Sequence, residues 1–284
     1  MLHGIPDLRI LPDPYISIEE DRRKGAKLLE AGGSFAGMLD LYYSMTPEIP
    51  AGLVPKFKSH DLAAAAIAEA TLAELGSETR GPLLDLGCRS GGLLAAAAAS
   101  RFPAVVGLDA AFRWLVMAQA RLREAGLQAS LLCANAEYLP FPAASFPLVT
   151  AVDLVEHLAD PALLFAECRR VAARGGTFYL ATNNRYSLLP EPHVNVWGVG
   201  WLPARLQGPW VRLASGRDYR NIRLRSSREL ARWARTAGFP RVELAPAPLA
   251  SPGRRERLLT AYNRIGRWRG LAPIAPRLQL TCRN

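Results

Sequence analysis

Three acids stand in or at the end of short apolar runs: Asp85 lies in "PLLDLG", which ends in glycine, Asp109 closes "AVVGLD" and Asp153 closes "FPLVTAVD". Asp85 opens the turn Asp85-Leu86-Gly87-Cys88-Arg89-Ser90-Gly91. If the run before it is a strand and the stretch after it a helix, the turn brings backbone amides and a helix N-terminus to a ligand. Glycine belongs in such a turn because a Cβ would collide with the ligand or forbid a positive φ. Asp109 follows Asp85 by 24 residues. An acid there suits a ribose diol, since a carboxylate accepts both hydroxyl protons. The pair alone serves NAD and S-adenosylmethionine equally well.

Two histidines are candidate general bases. In "DLVEHL", a helical turn after the fourth run would put Asp153, Glu156 and His157 at i, i+3 and i+4 on one face. The plainer reading is that Glu156 and His157 orient the loop by hydrogen bonds. His193 lies in "NNRYSLLPEPHVNVWGVGWLP", where Asn183, Arg185, Tyr186, Glu191, Trp197 and Trp201 could roof a substrate pocket. Its plainer reading is a packed lid whose tryptophans keep water out. The aromatic content points to an apolar or planar acceptor.

Positioning these groups requires a regular frame, and the chain supplies one. "PLLDLG", "AVVGLD", "ASLLCA", "FPLVTAVD" and "GGTFYLAT" are short apolar runs; "GLLAAAAASRF", "FRWLVMAQARLREAG" and "PALLFAECRRVAA" are helical segments interspersed among them. Strands alternating with helices imply right-handed crossovers and a parallel sheet covered on both faces. The expected fold is α/β: a Rossmann-like, doubly wound, seven-stranded and mostly parallel sheet, with N-terminal helices and an insertion after strand five forming a lid. The expected divisions are 1–58, helices packed on the core; 59–182, the cofactor-binding core; 183–225, the lid; and 226–284, a helix and the closing strands "PRVELAPA" and "PRLQLTCR". Within these, "DLAAAAIAEATLAELG" reads as a helix capped by Asp61 and stopped by Gly76, and "SSRELARWARTAGF" as one capped by Ser226 or Ser227.

The order and spacing of "CANAEYLPFPAASFPLVTAVDLVEHLADP" and "AECRRVAARGGTFYLATNNRYS" after the glycine turn resemble the class I S-adenosylmethionine-dependent methyltransferases. The resemblance is to the small-molecule, type 11-like branch that includes ubiquinone and menaquinone biosynthesis enzymes, and it runs from Leu83 to Thr182. It implies that Asp85, Gly87, Cys88, Arg89 and Gly91 surround the methionine part of the cofactor and that Asp109 binds the ribose. Ala110, Asn135, Ala136 and Glu137 would meet the adenine, and Asp153 would complete the cofactor set. His157 and His193 become the catalytic candidates, and Asn183, Arg185, Tyr186, Trp197 and Trp201 the substrate-binding ones. Some quinone O-methyltransferases of this resemblance hold a divalent ion at the place of Asp153, Glu156 and His157, although no metal is assigned here. The chain departs from the family pattern at Asn135 and Pro147, usually aspartates, and at Arg89, commonly a glycine. Asn135 still accepts through its amide oxygen. Arg89 must either swing out, reach the cofactor carboxylate, or fill the pocket.

Charge is unevenly placed. The 284 residues carry +10, yet Trp201 to Asn284 holds eighteen arginines, no lysine and four acids. Such asymmetry suits nucleic acid or an anionic membrane surface, or simply solvated helix faces. The four cysteines form no CxxC pair, which argues against a zinc knuckle and a disulfide framework. No apolar run is long enough to span a bilayer and the first residues do not read as a signal peptide, so a cytoplasmic protein is expected. Its expected partner is a small-molecule acceptor rather than nucleic acid, with weak anionic membrane-surface contact allowed and a monomeric or homodimeric state. Two other readings stand beside methylation of a small molecule: an RNA methyltransferase using the arginine-rich last third, and a non-catalytic scaffold whose cofactor site Arg89 has closed.

Overall fold

The computed structural model describes residues 2–47, 49–75, 81–247 and 272–284. The chain divides into two compact units, 1–150 with 170–176, and 151–169 with 177–284. The first unit contains α1 (Ile18–Ala31), α2 (Phe35–Ser44), α3 (Val54–Glu74), β1 (Leu83–Leu86), α4 (Gly92–Ala98), β2 (Val105–Asp109), α5 (Phe112–Glu124) and β3 (Ser130–Cys133). Next come β4 (Phe146–Val152), α6 (Pro161–Val171) and β5 (Ala172–Asn183), each divided between the units. The second unit adds α7 (Ala204–Ser215), α8 (Ser227–Thr236), β6 (Arg241–Pro246) and β7 (Arg277–Arg283). The strands form a seven-stranded sheet in the order β3-β2-β1-β4-β5-β7-β6.

In the first unit β1 and β2 pair in parallel with Asp85 opposite Gly107, and β2 pairs in parallel with β3. β1 is buried throughout, as expected of a strand covered on both faces. Gly107 is small because Leu94 of α4 lies where its Cβ would be, 2.4 Å from that position. Gly91 ends the turn in a left-handed conformation, and its missing Cβ leaves room for Ala118 of α5. These glycines therefore set how closely the helices approach the sheet.

The N-terminal residues are tied to this frame. Residues 6–8 run beside β3, with Leu8 N donating to Cys133 O and Cys133 N to Pro6 O. Asp21 of α1 is buried, and its carboxylate accepts from Phe112 N at 2.7 Å and Arg113 N at 3.2 Å, so it caps α5. Arg9 and Arg113 neutralise it at 2.5 and 2.7 Å.

The expected helix at Asp61 begins earlier, at Val54, with Pro55 in its first turn. Asp61 is consequently mid-helix rather than a cap; it is buried and accepts the Tyr43 hydroxyl at 2.8 Å. The expected stop at Gly76 falls outside the described residues. In the second unit β5, β7 and β6 are antiparallel neighbours. Ser226 caps α8 in a capping box with Glu229.

Candidate active site

In the first unit the turn after β1 is built from positive φ angles at Gly87 (69°), Arg89 (45°) and Gly91 (74°). Asp85 is buried at the end of β1 and accepts the Thr150 hydroxyl at 2.8 Å. Burial raises its pKa to about 7 despite that bond. Asp109, also buried, receives Arg89 N on one oxygen and Ala111 N on the other, both at 2.8 Å. Burial again prevails, and its pKa rises to about 6. Each Asp109 oxygen has two lone pairs, and each takes a single donor among the described residues. A ribose diol fits that remaining capacity. Cys88 beside them is a buried thiol that burial keeps protonated.

Arg89 swings to α3 and α5. Its guanidinium lies 3.4 Å from Asp61 and 4.4 Å above the centre of the Trp114 ring. What reaches Asp109 is its main-chain N–H. Asn135 is engaged by the N-terminal segment: its amide oxygen accepts from Ile10 N and Leu11 N at 3.0 and 3.1 Å, and its amide nitrogen donates to Leu11 O. The carbonyl of Ala110 accepts from Arg9 at 2.8 Å, while Ala136 and Glu137 are buried beyond β3.

The second unit gathers a separate polar cluster. Val155–His157 forms a single 3-10 turn and Asp153 is left-handed, with φ 52°. The helical face expected of Asp153, Glu156 and His157 therefore does not form. Instead Asp153 is gripped by both terminal nitrogens of Arg277, at 2.9 and 3.1 Å. Glu156 is buried, accepts the Thr182 hydroxyl at 2.9 Å, and has its pKa raised by burial and by Asp153. His157 and His193 meet edge to face at 5.6 Å between centroids. Glu156, His157 and His193 each bring one donor atom within 4.8 Å of the others, spacing that suits a proton relay or a divalent ion. Buried Glu191 accepts from His193 N and Val194 N, and its other oxygen lies 2.5 Å from His193 Nδ1. Burial lowers the His193 pKa, but Glu191 outweighs it and the net shift is upward.

A cavity of about 150 Å³ opens in the same unit. Asn183, Arg185, Trp201, Glu191 and Arg277 are among its lining residues. Tyr186 packs on Trp201 at 5.2 Å, whereas Trp197 is not in the lining and is 62% exposed. Thr150, Asp61 and Arg277 carried no local signal in the sequence: their partners lie 65, 28 and 124 residues away.

Comparison with known proteins agrees with this frame. Residues 84–180 match the family described as a methyltransferase domain. A ubiquinone biosynthesis O-methyltransferase of Idiomarina loihiensis is 34% identical over 128 residues, 43% of this chain and 51% of that protein. Another, of Saccharophagus degradans, is 31% identical over 163 residues, 57% of this chain and 64% of that one. The chain spans about half the length of the first of these curated relatives. A solved structure from Thermotoga maritima, described as an S-adenosylmethionine-dependent methyltransferase and possible histamine N-methyltransferase, shares the fold. Its TM-score is 0.52 at 19% identity, over 81% of this chain and 96% of that one. The fold is thus Rossmann-like α/β, shared with that solved structure. Over residues 84–180 the chain is similar to the methyltransferase domain.

Proposed function

We propose that the chain transfers a methyl group from S-adenosylmethionine to an oxygen, nitrogen or carbon of a small, hydrophobic or aromatic acceptor. The observation that carries this reading is Asp109, a buried carboxylate ending β2, with one backbone donor on each oxygen and acceptor capacity left on both. The cofactor supplies an already activated methyl group, so positioning is the main demand on the protein.

In this reading Asp109 holds the ribose. Asp85, Gly87, Cys88, Arg89 and Gly91 enclose the methionine end, Arg89 through its main chain. Ala110, Ala136 and Glu137 border the adenine, and Asn135 acts by fixing Ile10 and Leu11 rather than by bonding the base directly. Asp153, assigned to the cofactor set, is held in place by Arg277. The division into a core at 59–182, a lid at 183–225, and flanking segments at 1–58 and 226–284 belongs to the same proposal.

The acceptor is assigned to the cavity lined by Asn183, Arg185 and Trp201, whose volume of about 150 Å³ matches a single aromatic ring. Tyr186 supports Trp201 and Trp197 covers the loop. His193 is the preferred base, because Glu191 holds Nδ1 and leaves Nε2 to take the acceptor's proton. His157 is the second candidate. Among the described residues no helix is long and apolar enough to cross a membrane. A cytoplasmic protein, monomeric or homodimeric, is the accompanying inference, supported by four cysteines that are all free and buried.

The test is methyl transfer from labelled S-adenosylmethionine to a panel of phenols, catechols and aromatic amines. Labelled product from the parent chain, lost in Asp109→Ala, is the expected result. Cofactor binding with no labelled product anywhere on the panel would count against this acceptor class.

A further inference from the structure

Six of the twelve exposed large hydrophobic side chains among the described residues fall within Leu188 to Leu213. They converge on α7. At 100° per residue, Leu206, Trp210 and Leu213 (i, i+4, i+7) form one face of that helix. A surface helix ordinarily buries such a face. Here the opposite side is buried: Val211 packs with Val194, Val196 and Val199, while Leu213 is 81% exposed. The amphipathic helix is mounted apolar side out.

The tryptophans extend this face. Trp210 Nε1 donates to Trp197 O at 2.9 Å, Trp197 Nε1 to Leu188 O at 3.2 Å and Trp201 Nε1 to Ser187 O at 3.1 Å. Because each indole donor is satisfied by a main-chain carbonyl, the rings can enter an apolar phase without stranding an N–H. Arg205, Arg212, Arg220 and Arg223 are exposed on and just after the helix, and Asp218 is the one acid from Ala204 to Arg223.

We propose that α7 and the tryptophan loop before it form an in-plane docking surface for an anionic lipid bilayer. Leucine and tryptophan side chains enter the acyl boundary, and the arginines meet lipid phosphates. A twelve-residue helix is only about 18 Å long, too small a strip for the roughly 800 Å² per partner of a standard protein interface. The arginine fringe would also oppose its own copy. A polyanion such as RNA would engage the arginines but leave the exposed ridge of leucine and tryptophan unexplained.

The experiment is vesicle flotation of the intact chain with phosphatidylcholine alone and with phosphatidylcholine mixed with phosphatidylglycerol. The parent is expected to float with the mixed vesicles and much less with the neutral ones. Leu206→Glu and Leu213→Glu should each lower partitioning about tenfold or more, the effect of returning one large apolar side chain to water. Leu62→Glu, at another exposed leucine, should leave it unchanged, with circular dichroism confirming that every variant is folded. No flotation with anionic vesicles, or flotation indifferent to the α7 substitutions, overturns the proposal. So does lipid-free dimerisation abolished by those same substitutions, which would assign the face to a second copy.

Discussion

Arg89 stands where the methyltransferase pattern commonly has glycine, and its backbone bears the cost: φ is 45°, in a region where a side chain is strained by about 1–2 kcal/mol. Its charge and its amide serve different ends. The guanidinium rests between Asp61 and Trp114, and the amide completes the Asp109 carboxylate. Arg89→Gly should therefore keep affinity for S-adenosylhomocysteine within about threefold, since glycine retains that N–H. Titration calorimetry checks this, and a tenfold gain would mean that the side chain fills the cofactor site. At His193 the expected effect is on a pH profile. Its pKa lies above the usual 6.5, so the neutral, proton-accepting form prevails only above that raised value. The rate of methyl transfer should climb with pH to a midpoint above 6.5 in the parent. His193→Ala should lose this limb and about 10²-fold or more in rate. A loss under tenfold in both His157→Ala and His193→Ala would remove general-base catalysis by either.

At the scale of elements, the first unit depends on a buried contact remote in sequence. Asp21 of α1 caps α5 and is itself ion-paired to Arg9 and Arg113. Asp21→Ala would uncap α5 and leave Arg9 with Asp7 and Arg113 with Asp13 as their remaining acids, and loss of the cap and of the buried acceptor costs about 1–3 kcal/mol. Urea unfolding should show that loss as a lower midpoint at similar slope; a change under about 1 kcal/mol would show the pair to be dispensable. Of the core strands, β1, β2, β4 and β5 were legible in the sequence as apolar runs that end at an acid or border a glycine, and β3 as a short apolar run alone. Two helices were not read correctly. The start of α3 was hidden by "IPAGLVP", where Pro55 reads as a breaker yet sits in a first turn that tolerates it. α7 was concealed by Gly208-Pro209 inside it, a pair that reads as a turn. The glycine turn and Asp109 could be read locally. The Asp153–Arg277 pair and the tie from Asn135 to Ile10 join residues 124 and 125 apart, and spacing along the chain carries no trace of them.

At the scale of the whole molecule, the buried acids couple stability to pH. Asp85 and Asp109 have folded pKa values near 7 and 6, above the 3.8 of an ordinary aspartate. The folded chain thus holds protons that the unfolded chain has released, and folding is favoured by acid across that window. The contribution is complete below about 4 and is lost as pH rises through the folded values. Without cofactor, Asp85→Asn should flatten the fall in stability between about pH 4 and 7 and be the more stable form above it. An unchanged slope would show that Asp85 does not retain its proton. The same two acids define the site on which the functional reading rests. Its most direct test is titration calorimetry of the chain with S-adenosylhomocysteine, run beside Asp109→Ala. Binding with a dissociation constant on the order of micromolar, weakened about tenfold or more in the variant through loss of a charged hydrogen-bond acceptor, is the predicted result. A folded parent chain that binds no S-adenosylhomocysteine, or an Asp109→Ala variant that binds as tightly as the parent, would contradict it.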